Sequence, residues 1–131
     1  MSHFVLIDDD PDFAAALAAQ VRGAGHDITC AASCAEGLDL LSTMDEEHEV
    51  DAVLIDMFMP DADGFETITA LRNVGLSAPL IAISAGRPAS GNSVLNWAKA
   101  LGADASLAKP FDVERLVGMI NDMARQHKWI C

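Results

Sequence analysis

Basic residues are scarce in this chain: 8 Lys and Arg stand against 20 Asp and Glu, for a formal charge of −12 over 131 residues. Neutralising nucleic-acid phosphates takes clustered Lys and Arg, so this balance argues against direct nucleic-acid binding. No apolar stretch approaches the roughly 20 residues of a membrane span. The start, Met1-Ser2-His3, lacks the basic and apolar regions of an export signal. The 3 cysteines make an odd count, and Cys30 and Cys34 lack the C-x-x-C spacing of redox or zinc sites. They read as reduced thiols of a cytoplasmic protein. Internal repeats and low-complexity linkers are absent too.

What the chain does have is a large apolar share, 51%, enough for the core of one domain. Four apolar runs end in polar groups. Phe4 to Ile7 leads to Asp8 and Asp9, Ala52 to Ile55 to Asp56, Leu80 to Ile83 to Ser84, and Ala105 to Ala108 to Lys109. Short apolar runs bounded by polar or turn residues read as buried parallel strands. Asp27 to Ala32 is a further strand. Ligands of an open α/β sheet sit outside the carboxyl ends of its strands, so carboxylates, a hydroxyl and an ammonium can meet in one crevice.

Between the strands the pattern turns helical. Asp10 is a plausible N-cap with Pro11 at the first helical position, and Phe13, Leu17 and Val21 form a buried stripe that Gly23 and Gly25 end. Ser33 to Glu36 is a capping box opening a second helix, buried through Leu38, Leu41 and Met44. An acidic connector covers Met44 to Val50. A loop holding Pro60 and Gly64 leads into a third helix with Phe65, Ile68 and Leu71 inward and Gly75 as its stop. A Gly-rich segment, Gly86 to Gly91, precedes a fourth helix carrying Val94, Trp97, Ala98 and Leu101. Asp112 caps the last helix, where Val113, Leu116, Val117, Ile120 and Met123 fit the 3.6-residue period. Strand and helix alternate five times, which predicts a parallel sheet with helices on both faces.

The strand-end groups suit a divalent cation and a phosphoryl group. Mg²⁺ takes one or two carboxylates and keeps several waters; Asp9 and Asp56 can supply them, with Asp8 placed to hold a bound water. Asp56 can also act as nucleophile, since carboxylates form aspartyl-phosphates. The metal, the Lys109 ammonium and the Ser84 hydroxyl would neutralise the equatorial oxygens. Each residue alone also has an ordinary structural reading, as a cap, a strand-end hydroxyl or a surface charge. It is the set that points to chemistry.

In these segments the chain resembles the response-regulator receiver (CheY-like) domain of bacterial two-component signalling. The resemblance rests on Val5 to Asp10, on Asp56 to Pro60 with Asp63-Gly64, on Ile83-Ser84-Ala85, and on Gly102-Ala103 with Lys109-Pro110-Phe111. It implies a doubly wound (βα)5 flavodoxin-like three-layer sandwich, with a parallel five-stranded sheet in the order 2-1-3-4-5. It also implies that Asp56 accepts the phosphoryl group and that Asp8, Asp9, Asp56 and the Phe58 backbone carbonyl hold Mg²⁺, or Mn²⁺ in its place. Lys109 would pair with the phosphoryl group and Ser84 would move to hydrogen-bond it, with Ala85, Gly86 and Ser106 completing the switch region. The implied donor is a histidine kinase or histidine phosphotransfer protein. Slow self-dephosphorylation would make the domain a timed switch rather than a turnover enzyme.

Three features depart from the family pattern. Ser106 stands three residues before the lysine where Tyr or Phe is usual, and the chain has no Tyr. The segment after Ser84 is longer than usual and carries Gly86, Pro88 and Gly91, which makes it the expected mobile switch. The Met44 to Val50 connector is extended and acidic. Only Lys128 to Cys131 follows the last helix, so the expectation is a single, stand-alone domain over 1–131 without an output domain. It would be a monomer or weak homodimer that signals through a downstream protein. One alternative is a small haloacid-dehalogenase-type phosphatase with Asp8 as nucleophile and Asp10 as acid/base. Another is a receiver-like interaction module that takes no phosphate.

Overall fold

Side chains alternate across each strand of the sheet, and that alternation sorts the core into two halves. The computed structural model describes residues 2–43, 50–59, 62–76, 78–84, 102–109 and 111–130. Its elements run β1 (His3–Ile7), α1 (Pro11–Gly23), β2 (Asp27–Ala31), α2 (Cys34–Thr43), β3 (Ala52–Asp56), β4 (Phe58–Met59), β5 (Ala62–Asp63), α3 (Gly64–Asn73), β6 (Leu80–Ser84), β7 (Ala105–Ala108) and α4 (Val113–Ile130). The principal sheet has five parallel strands in the order β2-β1-β3-β6-β7, which is 2-1-3-4-5 when only its own strands are numbered.

Phe4 and Leu6 of β1, Leu54 of β3, Ile81 and Ile83 of β6 and Leu107 of β7 face α1 and α4, where Leu17, Val21, Leu116 and Ile120 meet them. Val5 and Ile7, Val53 and Ile55, and Leu80 and Ala82 face the opposite way, against Ile68 and Leu71 of α3 and the partly buried Leu38 and Leu41 of α2. A sheet covered on both sides needs apolar residues on both faces, which explains why the strands read as unbroken apolar runs. The three-layer expectation therefore holds.

The helix ends follow their capping residues. The Asp10 carboxylate accepts from the Asp12 and Phe13 amides at 3.0 and 3.2 Å, with Pro11 beginning α1. Ser33 Oγ accepts from the Glu36 amide at 3.1 Å. Glu36 reaches back to the Ala32 amide at 3.3 Å, one residue further than a capping box places it. Gly25 and Gly75 adopt φ of 89° and 91°, the left-handed conformation that ends α1 and α3. Asp112 accepts from the Arg115 amide at 2.9 Å and opens α4.

At the edge of the sheet where the strands begin, Arg72 ties three segments together. It donates to the carbonyls of Leu76, Ala78 and Gly102 and pairs with Asp104 at 2.7 Å. Asp104 Oδ2 also accepts from the amide of Leu80, the first residue of β6, at 2.9 Å.

Two sequence expectations need amendment. The loop before α3 contains a short antiparallel pair, Phe58 opposite Asp63 and Met59 opposite Ala62. Two-residue strands are too short to show any periodicity, so nothing marked them. Phe13 is not buried like Leu17 and Val21; it is half-buried at the rim of the core. The expected helix through Val94, Trp97, Ala98 and Leu101, the Gly86 to Gly91 segment, Ala85, and the connector from Met44 to Glu49 lie outside the described residues.

Candidate functional site

Each site residue stands at the end of a strand or within two residues of it, and backbone hydrogen bonds extend the ladder past the strand ends. The Asp8 amide donates to Ala31 O at 3.0 Å, the Met57 amide to Ile83 O at 3.0 Å, and the Lys109 amide to Ser84 O at 2.7 Å. The register sets Ile7 beside Ile55, Asp56 beside Ile83, and Ser84 beside Ala108. Residues from four chain segments far apart in sequence thus stand along one rim at the carboxyl end of the sheet.

Asp8 and Asp56 are buried, with 3% and 6% of their surface exposed, while Asp9 is the more accessible member of the trio. One oxygen from each of Asp8, Asp9 and Asp56 lies within 4.8 Å of the others. Lys109 Nζ donates to Asp8 Oδ2 at 2.8 Å and stands 3.7 Å from Asp56 Oδ2. The second Asp8 oxygen accepts from the Asp10 amide at 2.9 Å. A buried carboxylate costs free energy unless paired and hydrogen-bonded, and Asp8 has both kinds of partner.

Three carboxylates facing one ammonium leave the crevice rich in negative charge and in hard oxygen donors. That donor set fits Mg²⁺ or Mn²⁺, which prefer carboxylate oxygens and water in octahedral array. The Ser84 hydroxyl supplies a second pointer. It is fully buried at the end of β6, and its Oγ lacks a hydrogen-bond partner among the described residues. Such an orphan costs about 1–3 kcal/mol, a deficit that an anionic oxygen entering the crevice would offset.

Of the residues singled out from sequence, Asp8, Asp9, Asp56 and Lys109 come together, and Ser84 ends the strand next to that of Asp56. Ser106 lies half-exposed on β7, paired across the ladder with Ala82. The Phe58 backbone belongs to β4, two residues after Asp56. Gly86 lies outside the described residues. Asp10, the acid/base of the phosphatase alternative, spends its carboxylate capping α1.

One neighbour went unread in the sequence. The Phe13 ring lies over Lys109 Nζ, with 4.1 Å between nitrogen and ring centroid. Phe111 meets that ring edge-on at a centroid distance of 5.7 Å. The only available signal was that Phe13 is three residues from the α1 cap and that Phe111 is two from Lys109.

The response regulator receiver domain family matches residues 4–121, and the chain belongs to that family. It is similar to the response regulator SaeR of Staphylococcus aureus, 27% identical over 128 residues; these cover 98% of this chain and 53% of that protein. The chain therefore spans about half the length of that relative. Among solved structures it resembles the receiver domain of Francisella response regulator 1452, with a TM-score of 0.79 and 26% identity over 97% of this chain and 99% of that one. The fold is shared with the response regulator TrrA of Thermotoga maritima, solved in complex with Mg²⁺ and BeF, at a TM-score of 0.73 and 23% identity over 93% and 98% of the two chains. Receiver domains are signalling phosphoacceptor modules of two-component systems, not turnover enzymes, and they bind Mg²⁺ through an acidic pocket. Their partners are histidine kinases or phosphotransfer proteins.

Proposed function

We propose that residues 1–131 form one receiver domain in which Asp56 takes a phosphoryl group from a phosphohistidine of a kinase or phosphotransfer protein. The observation that carries this reading is the Lys109 ammonium, 3.7 Å from Asp56 Oδ2 and bonded to Asp8, beside three clustered carboxylates. An Asp56 carboxylate oxygen attacks phosphorus, the P–N bond breaks, and the histidine nitrogen leaves with the bonding electron pair and takes a proton. Asp8, Asp9, Asp56 and the Phe58 carbonyl would hold Mg²⁺, which when bound supplies positive charge to the transferring phosphoryl oxygens. Lys109 pairs with a further oxygen and keeps Asp8 neutralised. Ser84 donates a hydrogen bond from its hydroxyl to the new phosphoryl group. Water slowly hydrolyses the aspartyl phosphate, returning carboxylate and inorganic phosphate.

The charge added at Asp56 changes a protein-binding surface and so reaches a downstream protein partner. Cytoplasmic placement accords with the free thiols of Cys30 and Cys34 and with the absence, among the described residues, of a helix long and apolar enough to cross a membrane.

The test is incubation with acetyl phosphate and Mg²⁺ followed by mapping of the modified residue. One phosphoryl group on Asp56 is expected, with none on an Asp56→Asn chain that keeps its fold. Undiminished labelling of that variant rejects Asp56 as acceptor. Label on Asp8, or repeated turnover of a phosphomonoester, favours the phosphatase instead.

A further inference from the structure

We propose that Phe13 is a positioning residue for the Lys109 ammonium, an aromatic cover that keeps it dry and lets it swing between Asp8 and a phosphoryl group on Asp56. The inference rests on the phosphoacceptor reading above and adds a residue of α1 to it. An ammonium has three N–H donors. One reaches Asp8 Oδ2 at 2.8 Å; a second direction faces Asp56 Oδ2, at 3.7 Å too long for a good hydrogen bond. The Phe13 ring takes up a third direction, 4.1 Å from the nitrogen.

The Lys109 side chain is 12% exposed, so the ring stands where water would otherwise solvate the charge. In a site this dry, the attraction between a ring face and a cation is stronger than at an open surface. It is also broad, because the negative face of the ring has no single acceptor atom. The ammonium can lean from Asp8 towards Asp56 without leaving the ring, whereas a bound water or carboxylate would hold it to one direction.

The chain fixes the ring from both sides. The Asp10 cap accepts from the Phe13 amide, which sets the first turn of α1, and helical side chains lean back towards the N-terminal end, here towards the crevice. Phe111, two residues after Lys109 in the chain, braces the ring edge-on at an interplanar angle of 68°. The ring is thus held in place while the ammonium beneath it keeps its freedom to lean.

The experiment compares the full chain with Phe13→Leu, which keeps apolar bulk without the ring face, and Phe13→Trp, which restores one. The first readout needs neither metal nor phosphodonor. The ε-methylene of Lys109, assigned by its loss in Lys109→Gln among only three lysines, is expected upfield in the proton–carbon spectrum of the native and Trp chains. It is expected at its unstructured position in the Leu chain. An unshifted native resonance overturns the cover.

The second readout is the rate of Asp56 phosphorylation by acetyl phosphate with Mg²⁺. We expect it about fivefold slower in Phe13→Leu and within about twofold of native in Phe13→Trp. Equal native and Leu rates, or equal loss in Leu and Trp, overturn the positioning role. A native chain that takes no phosphate from any donor overturns the receiver reading instead, and the resonance of Lys109 still decides whether the ring covers it.

Discussion

Lys109 is the residue on which the resting crevice depends most. Its partner Asp8 has no side-chain exposure, so replacing the lysine leaves a buried carboxylate beside Asp56 without its counter-charge. Breaking a buried pair in this way costs about 3–5 kcal/mol. Urea unfolding of Lys109→Met without Mg²⁺ should show a loss of about 3 kcal/mol, and Mg²⁺ should recover part of it. A loss below about 1 kcal/mol would mean that solvent already screens the crevice. Cys30 makes a separate prediction. Although the residue is exposed on β2, burial of its thiol, less a pull from the Arg22 guanidinium and with a push from the Asp8 carboxylate, raises its pKa above the ordinary value. Native Cys30 should therefore alkylate more slowly at pH 8 than in urea, as read by mass spectrometry of its peptide. The sign for stability follows. Below the ordinary thiol pKa the neutral form fills both states and the raised value costs nothing. As pH rises through that range and on to the raised folded value, the unfolded chain gains thiolate first and stability falls. Cys30→Ser should flatten that alkaline fall.

Two glycines in helices test how the elements pack. A Cβ on Gly37 of α2 would lie 2.5 and 2.8 Å from Ile7 Cδ1 and Cγ1, so the fully buried Ile7 side chain would have to shift. Overpacking of that kind costs about 1–3 kcal/mol, more than the roughly 1 kcal/mol that Ala gains over Gly in a helix. Gly37→Ala should lower stability by about 1 kcal/mol. A Cβ on Gly118 of α4 meets nothing within 4 Å, so Gly118→Ala should raise stability by about 0.5–1 kcal/mol. Thermal melts of both variants moving the same way would contradict this packing. Elements of this size were legible in the sequence, because the inner strands β1, β3 and β6 bury both faces and α1, α2 and α4 carry caps, at Asp10, Ser33 and Asp112. The site was legible for the same reason, since parallel strands bring their carboxyl ends together and the residues after them must share one rim. Neither Phe13 over Lys109 nor the Arg72 tie between Gly102 and Asp104 could be read, for both depend on side-chain reach between segments distant along the chain. The β4–β5 pair escaped because two residues carry no period.

The whole molecule carries a formal charge of −12, and its crevice brings three carboxylates close together. Repulsion among them opposes folding until a cation enters, so the chain should be more stable with Mg²⁺ than without. At about 100 times the dissociation constant the gain is about 2.7 kcal/mol. Asp9→Asn should abolish most of that gain and, by relieving repulsion, stabilise the metal-free chain. Calorimetric melts with Mg²⁺ and with a chelator decide it; an Mg²⁺-induced rise that survives in Asp9→Asn would place the ion elsewhere. The amide bonds from Asp8, Met57 and Lys109 to neighbouring strands carry a last consequence. Those bonds are made by main-chain atoms, and the main chain of any residue but proline can donate them. Evolution can therefore rewrite helices and outer surface, and with them the choice of interlocutor, without retuning the reactive rim.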